Sequence, residues 1–195
     1  MGYIKRIRAL MGYGTWLALP VMIFCGSLPN AAASEAVDPI EYKVKAGYLF
    51  NFAKFVQWPH NEANATSAFR IGVVDRGEAF PVMNEVLAGK TVQNRAVKVV
   101  HLKPGDDLKQ CEILFIAQSQ DKRAAELLKS VGTAPVLTVG EAKGFAGRGG
   151  CINFVQVGAN VRFEVNLQTA GQAGLKISSK IASMATIVSP EEAQK

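Results

Sequence analysis

The segment that decides the fold runs from Glu41 to Trp58, reads EYKVKAGYLFNFAKFVQW, and is closed by Pro59. It holds six of the twelve aromatic residues found beyond residue 33. At about 100° per residue, its apolar side chains gather on one side and cover roughly half of a helix. Only Lys45 interrupts that side. The residues of this predicted buried face are Val44, Ala46, Tyr48, Leu49, Phe52, Ala53, Phe55 and Val56.

The opposite side of the predicted helix mixes polar residues with two large aromatic ones. Its members are Lys43, Phe50, Asn51, Lys54, Gln57 and Trp58. Two large apolar rings among polar neighbours indicate that a second surface covers them. The linker, a dimer mate and a partner protein all remain open as that second surface.

Residues 1–33 have the pattern of a secretory leader. Lys5, Arg6 and Arg8 form a basic start, an apolar stretch continues to Phe24, and residues 31–33 are three alanines. A basic start, an apolar stretch and small residues at the cleavage position make up a signal peptide. The alternative is an uncleaved membrane anchor. We expect cleavage, which leaves one domain over residues 34–195, with its core from residue 40 to residue 188.

The charge balance argues against one class of function. The chain has 22 basic and 16 acidic residues, and three of the basic ones lie in the leader. The remaining 162 residues therefore carry 19 basic against 16 acidic side chains, a net charge of +3. No run of like charges remains, so binding to nucleic acid is not predicted.

Beyond the aromatic helix, strand and helix patterns alternate. Strands are predicted at residues 69–75, 97–102, 112–117 and 136–139, and helices at residues 78–88 and 120–130. This alternation predicts a mostly parallel sheet with right-handed crossovers and helices on its faces.

The end of the chain breaks this alternation. Residues 151–157 and 161–167 are strand-like and flank Gly158-Ala159-Asn160, which predicts a β-hairpin. Apolar residues then recur at helical spacing and predict a final helix. Those residues are Ile177, Ile181, Met184 and Val188. The predicted fold class is therefore α/β, a single domain with an aromatic N-terminal helix and a C-terminal hairpin plus helix.

Little in the sequence points to catalysis. There are two histidines, no zinc-like spacing of ligands, and none of the common hydrolase, nucleotide-binding or metalloprotease motifs. We therefore predict no catalytic site, no cofactor and no bound metal. A binding or regulatory protein is favoured over an enzyme.

One segment has features of a ligand site, the glycine-rich run from Gly144 to Gly150. Glycines let backbone N–H groups converge on an anion, and Arg148 next to Gly149 offers a guanidinium to a phosphate or carboxylate. This interpretation predicts a periplasmic small-molecule sensor as a second function. The alternative is a glycine-rich turn that leads into the hairpin.

Two cysteines lie beyond the leader, Cys111 and Cys151, each directly before an apolar, strand-like run. In an exported protein they are candidates for a disulfide, because the compartment is oxidising. Two buried free thiols are the alternative. The sequence leaves both arrangements open.

Six stretches, in order along the chain, resemble the YfiR family of periplasmic proteins. They are Glu41 to Pro59, Cys111-Glu-Ile-Leu-Phe-Ile116, Pro135-Val-Leu-Thr-Val139, Gly149-Gly-Cys-Ile-Asn-Phe154, Val161-Arg-Phe-Glu-Val-Asn-Leu167 and Leu175-Lys-Ile-Ser-Ser-Lys180. The helix that ends in Trp-Pro and the later Ile-Ser-Ser-Lys are specific in combination.

The resemblance implies a compact α/β periplasmic domain that forms homodimers. It implies a repressor that binds the periplasmic sensor region of an inner-membrane diguanylate cyclase similar to YfiN, which lowers cyclic-di-GMP and biofilm formation. It also implies an outer-membrane lipoprotein similar to YfiB that sequesters the repressor under stress. Members of the family can carry two intramolecular disulfides, whereas Cys111 and Cys151 allow one at most.

We expect the cyclase contact to include two exposed aromatic residues of the first helix, Phe50 and Trp58. The polar face of the hairpin, with Arg162 and Glu164, is the second expected contact. Ordinary packing is the alternative for the two aromatic residues, and a solvated pair of charges is the alternative for Arg162 and Glu164.

Overall fold

The computed structural model describes residues 39–59 and 67–190. The predicted leader, residues 1–33, lies outside these ranges, and its cleavage stays a prediction. Within the described ranges, none of the helices combines the length and the apolar character that a membrane span requires.

The described residues form five α-helices and ten β-strands. The helices are α1 (Pro39–Phe55), α2 (Phe80–Leu87), α3 (Asp121–Val131), α4 (Leu167–Gln172) and α5 (Ser179–Ala182). The strands are β1 (Val56–Gln57), β2 (Phe69–Val74), β3 (Thr91–Val92), β4 (Arg95–His101), β5 (Ile113–Ile116), β6 (Leu137–Gly140), β7 (Ile152–Val157), β8 (Asn160–Val165), β9 (Lys176–Ile177) and β10 (Thr186–Ile187).

Eight of these strands form one sheet in the order β10-β8-β7-β6-β5-β2-β4-β3. Strands β4, β2, β5, β6 and β7 run parallel, while β8 is antiparallel to β7 and β3 is antiparallel to β4. Strands β1 and β9 form a separate antiparallel pair. The predicted α/β class, with a mostly parallel sheet, flanking helices and a hairpin near the C-terminus, is confirmed.

The sheet lies between two layers of helices. Along β5, Ile113 and Phe115 belong to the core that contains α1 and α2, whereas Leu114 and Ile116 belong to the core that contains α3. Successive side chains of a strand point to opposite faces, so a strand covered on both faces is apolar throughout. This explains the unbroken apolar run that predicted β5.

Helix α1 lies across one face of the sheet, antiparallel to the parallel strands. Its first turns reach the ends of β5 and β6, where the ring centroids of Tyr42 and Phe115 are 6.2 Å apart. The chain that follows its last turn reaches the starts of β2 and β5, where Trp58 contacts Phe69. We call the first border the carboxyl edge of the sheet and the second border the amino edge.

The structure corrects the predicted extent and orientation of the first helix. The helix ends at Phe55, because Val56 and Gln57 pair with β9 as strand β1. Its buried face is also rotated relative to the prediction. Val44 is 42% exposed, whereas Lys45 is buried.

The predicted final helix is wrong in extent. Ile177 lies in β9, the helix α5 covers only four residues, and Met184 is 53% exposed. Strand pairing with β1 and β8 replaces helical hydrogen bonds at both ends of this segment. An apolar period alone did not reveal these partners, because the period is a local property and strand pairing is not.

Candidate functional site

A buried network of hydrogen bonds and charges fixes the first turns of α1 at the carboxyl edge. Lys45 forms an ion pair with Glu141, which follows β6, and their side chains are 6% and 5% exposed. The Tyr42 hydroxyl donates to Glu141 Oε1 at 3.0 Å, and the backbone N–H of Gln118 donates to the same oxygen at 2.7 Å. Burial, and then the charge of Glu141, raises the pKa of Tyr42 far above its usual range, so the hydroxyl stays a donor.

A cluster of four aromatic rings fixes the rotation of α1 about its own axis. Tyr48 and Phe52 pack on Phe154 of β7 and Phe163 of β8. The four centroid distances between the two pairs range from 5.2 Å to 6.0 Å, which is the range of favourable ring contacts. This cluster determines which residues of α1 face away from the sheet.

The side of α1 that faces away from the sheet forms a surface that we call the α1 outer face. It consists of Lys43, Val44, Asn51 and Lys54, which are exposed, and of Phe50 at its border, which is partly buried and packs against the core that contains α1 and α2. Both of its ionised residues are lysines. The α1 outer face is therefore positively charged and partly apolar.

Phe50 lies among ammonium groups. The Nζ atoms of Lys54 and Lys90 are 5.4 Å and 5.1 Å from the centre of its ring. Ammonium groups at this distance are attracted to the negative face of an aromatic ring. A ring flanked by two lysines suits contact with an acidic protein surface that also has an apolar residue to offer.

Trp58 has different neighbours from Phe50. Its Nε1 donates to the backbone oxygen of Glu112 at 3.1 Å, and its ring meets Phe69 edge-on at 5.2 Å. Trp58 therefore ties the chain after α1 to the amino edge. The structure does not bring the two predicted aromatic contact residues onto one surface.

The predicted polar residues of the hairpin lie on the opposite face of the sheet from α1. Phe163 of β8 packs in the core with α1, so its neighbours Arg162 and Glu164 point the other way. Arg162 is exposed, and Glu164 Oε2 accepts a hydrogen bond from Asn153 Nδ2 at 2.9 Å. Phe50 and this pair cannot belong to one flat interface.

The glycine-rich segment places Arg148 in an ion pair. Arg148 Nη2 donates to Asp121 Oδ1, at the start of α3, at a distance of 2.7 Å. Gly149, beside it, has a backbone φ of 100°, which is strained for any residue with a side chain. An anion at Arg148 would have to compete with Asp121.

The other glycines of this region make room for one ring. A Cβ atom added to Gly140 or Gly150 would lie 2.5 Å or 2.1 Å from the nearest ring carbon of Phe145. Phe145 is completely buried. These contacts support the alternative that the segment is a turn folded around Phe145.

Cys111 and Cys151 are free, buried thiols in the structure. Cys111 leads into β5 and Cys151 leads into β7, and β6 lies between these strands. Two strand spacings amount to about 10 Å, whereas a disulfide joins Cα atoms no more than about 7 Å apart. Of the two arrangements left open by the sequence, the structure has the free thiols. Burial raises the pKa of Cys111 to about 11 and also raises the pKa of Cys151.

Sequence reasoning missed two lysines from distant parts of the chain that lie over aromatic rings of α1. Lys90 lies over Phe50, and Lys180 Nζ lies 4.4 Å from the ring centre of Phe55. Neither lysine has a local pattern that links it to the aromatic helix. Only the fold places them there.

The family comparison gave one match. A model of proteins described as YfiR/HmsC-like matches residues 42–186. The comparison with curated proteins gave no match.

Solved structures with a similar fold include a conserved domain protein from Vibrio cholerae O1 biovar El Tor strain N16961. The TM-score is 0.52 at 13% identity, over 73% of this chain and 59% of that one. The chain thus spans less than two thirds of that protein. The ABC domain in complex with L-Trp from Streptococcus pneumoniae gives a TM-score of 0.46 at 10% identity, over 61% of this chain and 55% of that one.

Proposed function

Because the chain belongs to the YfiR/HmsC-like family of periplasmic regulators, we propose that it binds and inhibits an inner-membrane diguanylate cyclase. The binding site on the cyclase is its periplasmic sensor region, and inhibition lowers cyclic-di-GMP and biofilm formation. The observation that supports this most directly is the family match over residues 42–186, which spans most of the described chain.

The proposed inhibition requires no reaction by this protein. A regulator that binds the inactive arrangement of the sensor more tightly than the active one shifts the population toward inactivity. Moving that population from 1:99 to 99:1 takes about 5.5 kcal/mol of differential binding. Two or three well-packed contact residues supply a difference of this size.

The α1 outer face is the proposed contact surface for the cyclase. Lys45 and the aromatic cluster hold α1 against the sheet, so the helix backbone that carries this surface is in place before binding. A surface whose backbone is already in place loses less entropy on binding than one that must first become ordered. Phe50, flanked by Lys54 and Lys90, is the aromatic anchor of this surface.

The remaining predicted contacts stay in the proposal as separate regions. Arg162 and Glu164 lie on the other face of the sheet and would meet a different part of the partner. Trp58 packs at the amino edge, and it would affect cyclase binding by fixing the position of α1. A second copy of this chain and an outer-membrane lipoprotein similar to YfiB complete the proposed set of partners.

The test is a deletion of the gene followed by complementation. Deletion should raise cellular cyclic-di-GMP, and the wild-type gene should restore the lower level. Phe50→Asp should fail to restore it, because a charge replaces the anchor ring, with binding to the purified sensor region weakened about 30-fold. Met184→Asp, at an exposed apolar residue outside α1, is the matched control and should restore repression.

Charge reversal gives a second matched pair. Lys54→Glu should weaken binding of the purified sensor region, and Lys129→Glu, on the exposed side of α3, should not. Unchanged cyclic-di-GMP after deletion would contradict the proposed function. Normal repression by Phe50→Asp would leave the function intact and move the contact surface away from α1.

A further inference from the structure

A large cavity opens at the amino edge of the sheet, between the chain that follows α1 and the starts of β2, β5 and β6. Its volume is about 660 Å³. Small-molecule sites in proteins fall in this range of volumes. Trp58, Pro59 and Pro135 form apolar walls, and Arg70, Lys109 and Glu112 supply its ionised groups.

Among the described residues, one carboxylate lines the cavity, and it is already engaged. Glu112 Oε1 forms an ion pair with Arg95, and Glu112 Oε2 accepts a hydrogen bond from the backbone N–H of Arg70 at 2.8 Å. Both Arg95 and Glu112 are largely buried. Across the described residues, neither Arg70 nor Lys109 has an ion-pair partner of its own. Among the residues that the structure describes, the cavity therefore presents two positive charges that no carboxylate neutralises.

The guanidinium of Arg70 has a nitrogen without a hydrogen-bond acceptor among the described residues. Its Nη1 donates to Gln110 Oε1 at 3.2 Å, while its Nε is buried and finds no acceptor in the part of the chain that the structure describes. A buried donor without an acceptor is unfavourable, most of all on a charged group. Lys98 lies directly across from Arg70 on β4, on the same face of the sheet, and like charges in that position repel.

We propose that this cavity binds a small organic anion. Its carboxylate would pair with Arg70, whose planar N–H groups match the two oxygens, and with Lys109. Its apolar body would lie against Trp58 and the two prolines. Such a ligand supplies an acceptor for the Arg70 guanidinium and an apolar surface that packs against the walls of the cavity. The site is separate from the α1 outer face, which contributes none of its lining residues.

Benzoate is a suitable probe because it joins a carboxylate to an apolar ring. The melting temperature of the purified protein should rise with benzoate concentration, since a ligand that binds only the folded state stabilises it. Benzamide has the same shape without the charge and should raise it much less. Inorganic phosphate has the charge without the apolar body and should also raise it less.

Substitutions test which residues bind benzoate. Arg70→Gln should weaken benzoate binding about tenfold or more, because a charge-assisted pair is lost. Lys109→Gln should weaken benzoate binding by a smaller factor. Because Lys109 is exposed, this variant provides the test if Arg70→Gln does not fold. Lys129→Gln, on α3, is the matched control and should bind like the wild type.

Three results would overturn the proposal. The first is a melting temperature that does not depend on benzoate. The second is equal stabilisation by benzamide or by phosphate, which would remove the carboxylate or the apolar body from the recognised chemistry. The third is undiminished benzoate binding by the Arg70→Gln and Lys109→Gln variants.

Discussion

Two charged networks, one around Glu141 at the carboxyl edge and one around Arg70 at the amino edge, differ in how fully their buried polar atoms are paired. At the carboxyl edge, Glu141 accepts from Lys45, Tyr42 and a backbone N–H, so the network is complete. At the amino edge, Glu112 is equally engaged, but the neighbouring Arg70 keeps a buried nitrogen without an acceptor. A complete network serves as an anchor, whereas an incomplete one beside a cavity is a place where a ligand stabilises the fold.

The largest effect is expected at the complete edge. Glu141→Ala leaves Lys45 buried beside only the half-exposed Glu41, and it should lower the free energy of unfolding by about 3 kcal/mol. Denaturation in urea measures this directly. The double variant Lys45→Met with Glu141→Leu should recover most of the loss, because an apolar pair of similar size needs no counter-charge.

Glu126→Ala is the control for that experiment, since its side chain is 68% exposed. It should change the free energy of unfolding by less than about 0.5 kcal/mol. If Glu141→Ala were no more destabilising than Glu126→Ala, the anchor at the carboxyl edge would not exist.

A smaller effect is expected at the incomplete edge. Glu112→Gln keeps the size of the side chain and removes the charge that faces Arg95, so stability should fall by about 1–2 kcal/mol. The same change should strengthen benzoate binding, because it makes the cavity more positive. Titration of the purified variant with benzoate checks the second part. Weaker binding by Glu112→Gln would contradict the assignment of Arg70 and Lys109 as the anion-binding groups.

The smallest effect concerns Cys111, which also lines the amino edge. Burial raises its pKa to about 11 from the usual 9.0, and the nearby Arg70 partly opposes that rise. The folded state therefore holds the thiol proton more tightly than the unfolded chain does. The resulting stability is fully present below about pH 9 and is lost as the pH rises through 11.

Urea denaturation at pH 8 and pH 10 measures this dependence. The wild type should lose about 1 kcal/mol more than Cys111→Ala between these two values. Equal losses in the two proteins would show that Cys111 does not titrate as the structure indicates. Arg70→Gln should raise the pKa of Cys111 further, which slower alkylation of the thiol at pH 9 would reveal.

Local sequence patterns predicted an element correctly where each of its faces has one kind of environment along its whole length. The strand β5 is apolar throughout because both of its faces are covered, and the hairpin follows from Gly158 between two strands. Helix α4 was missed, although Asn166 accepts a hydrogen bond from the backbone N–H of Thr169 and so caps its start. An Asn before a helical stretch is a readable signal of a helix start.

The rotation of α1 was not predictable from its own residues. The periodicity placed Val44 inside and treated Lys45 as an interruption, yet Lys45 is buried and Val44 is exposed. The counter-charge that makes this favourable is Glu141, which lies 96 residues further along the chain. No window of sequence around α1 contains that information.

The sequence by itself determines the aromatic helix, the alternating strands and helices, and the family to which the chain belongs, because periodicity, turn residues and motifs are local. The tertiary structure decides which side of that helix faces outward and that Lys54 and Lys90 flank Phe50. It also decides that β6 separates Cys111 from Cys151 and that Arg70 borders a cavity. These outcomes depend on contacts between residues far apart in the chain, and such contacts exist only after the sheet has assembled.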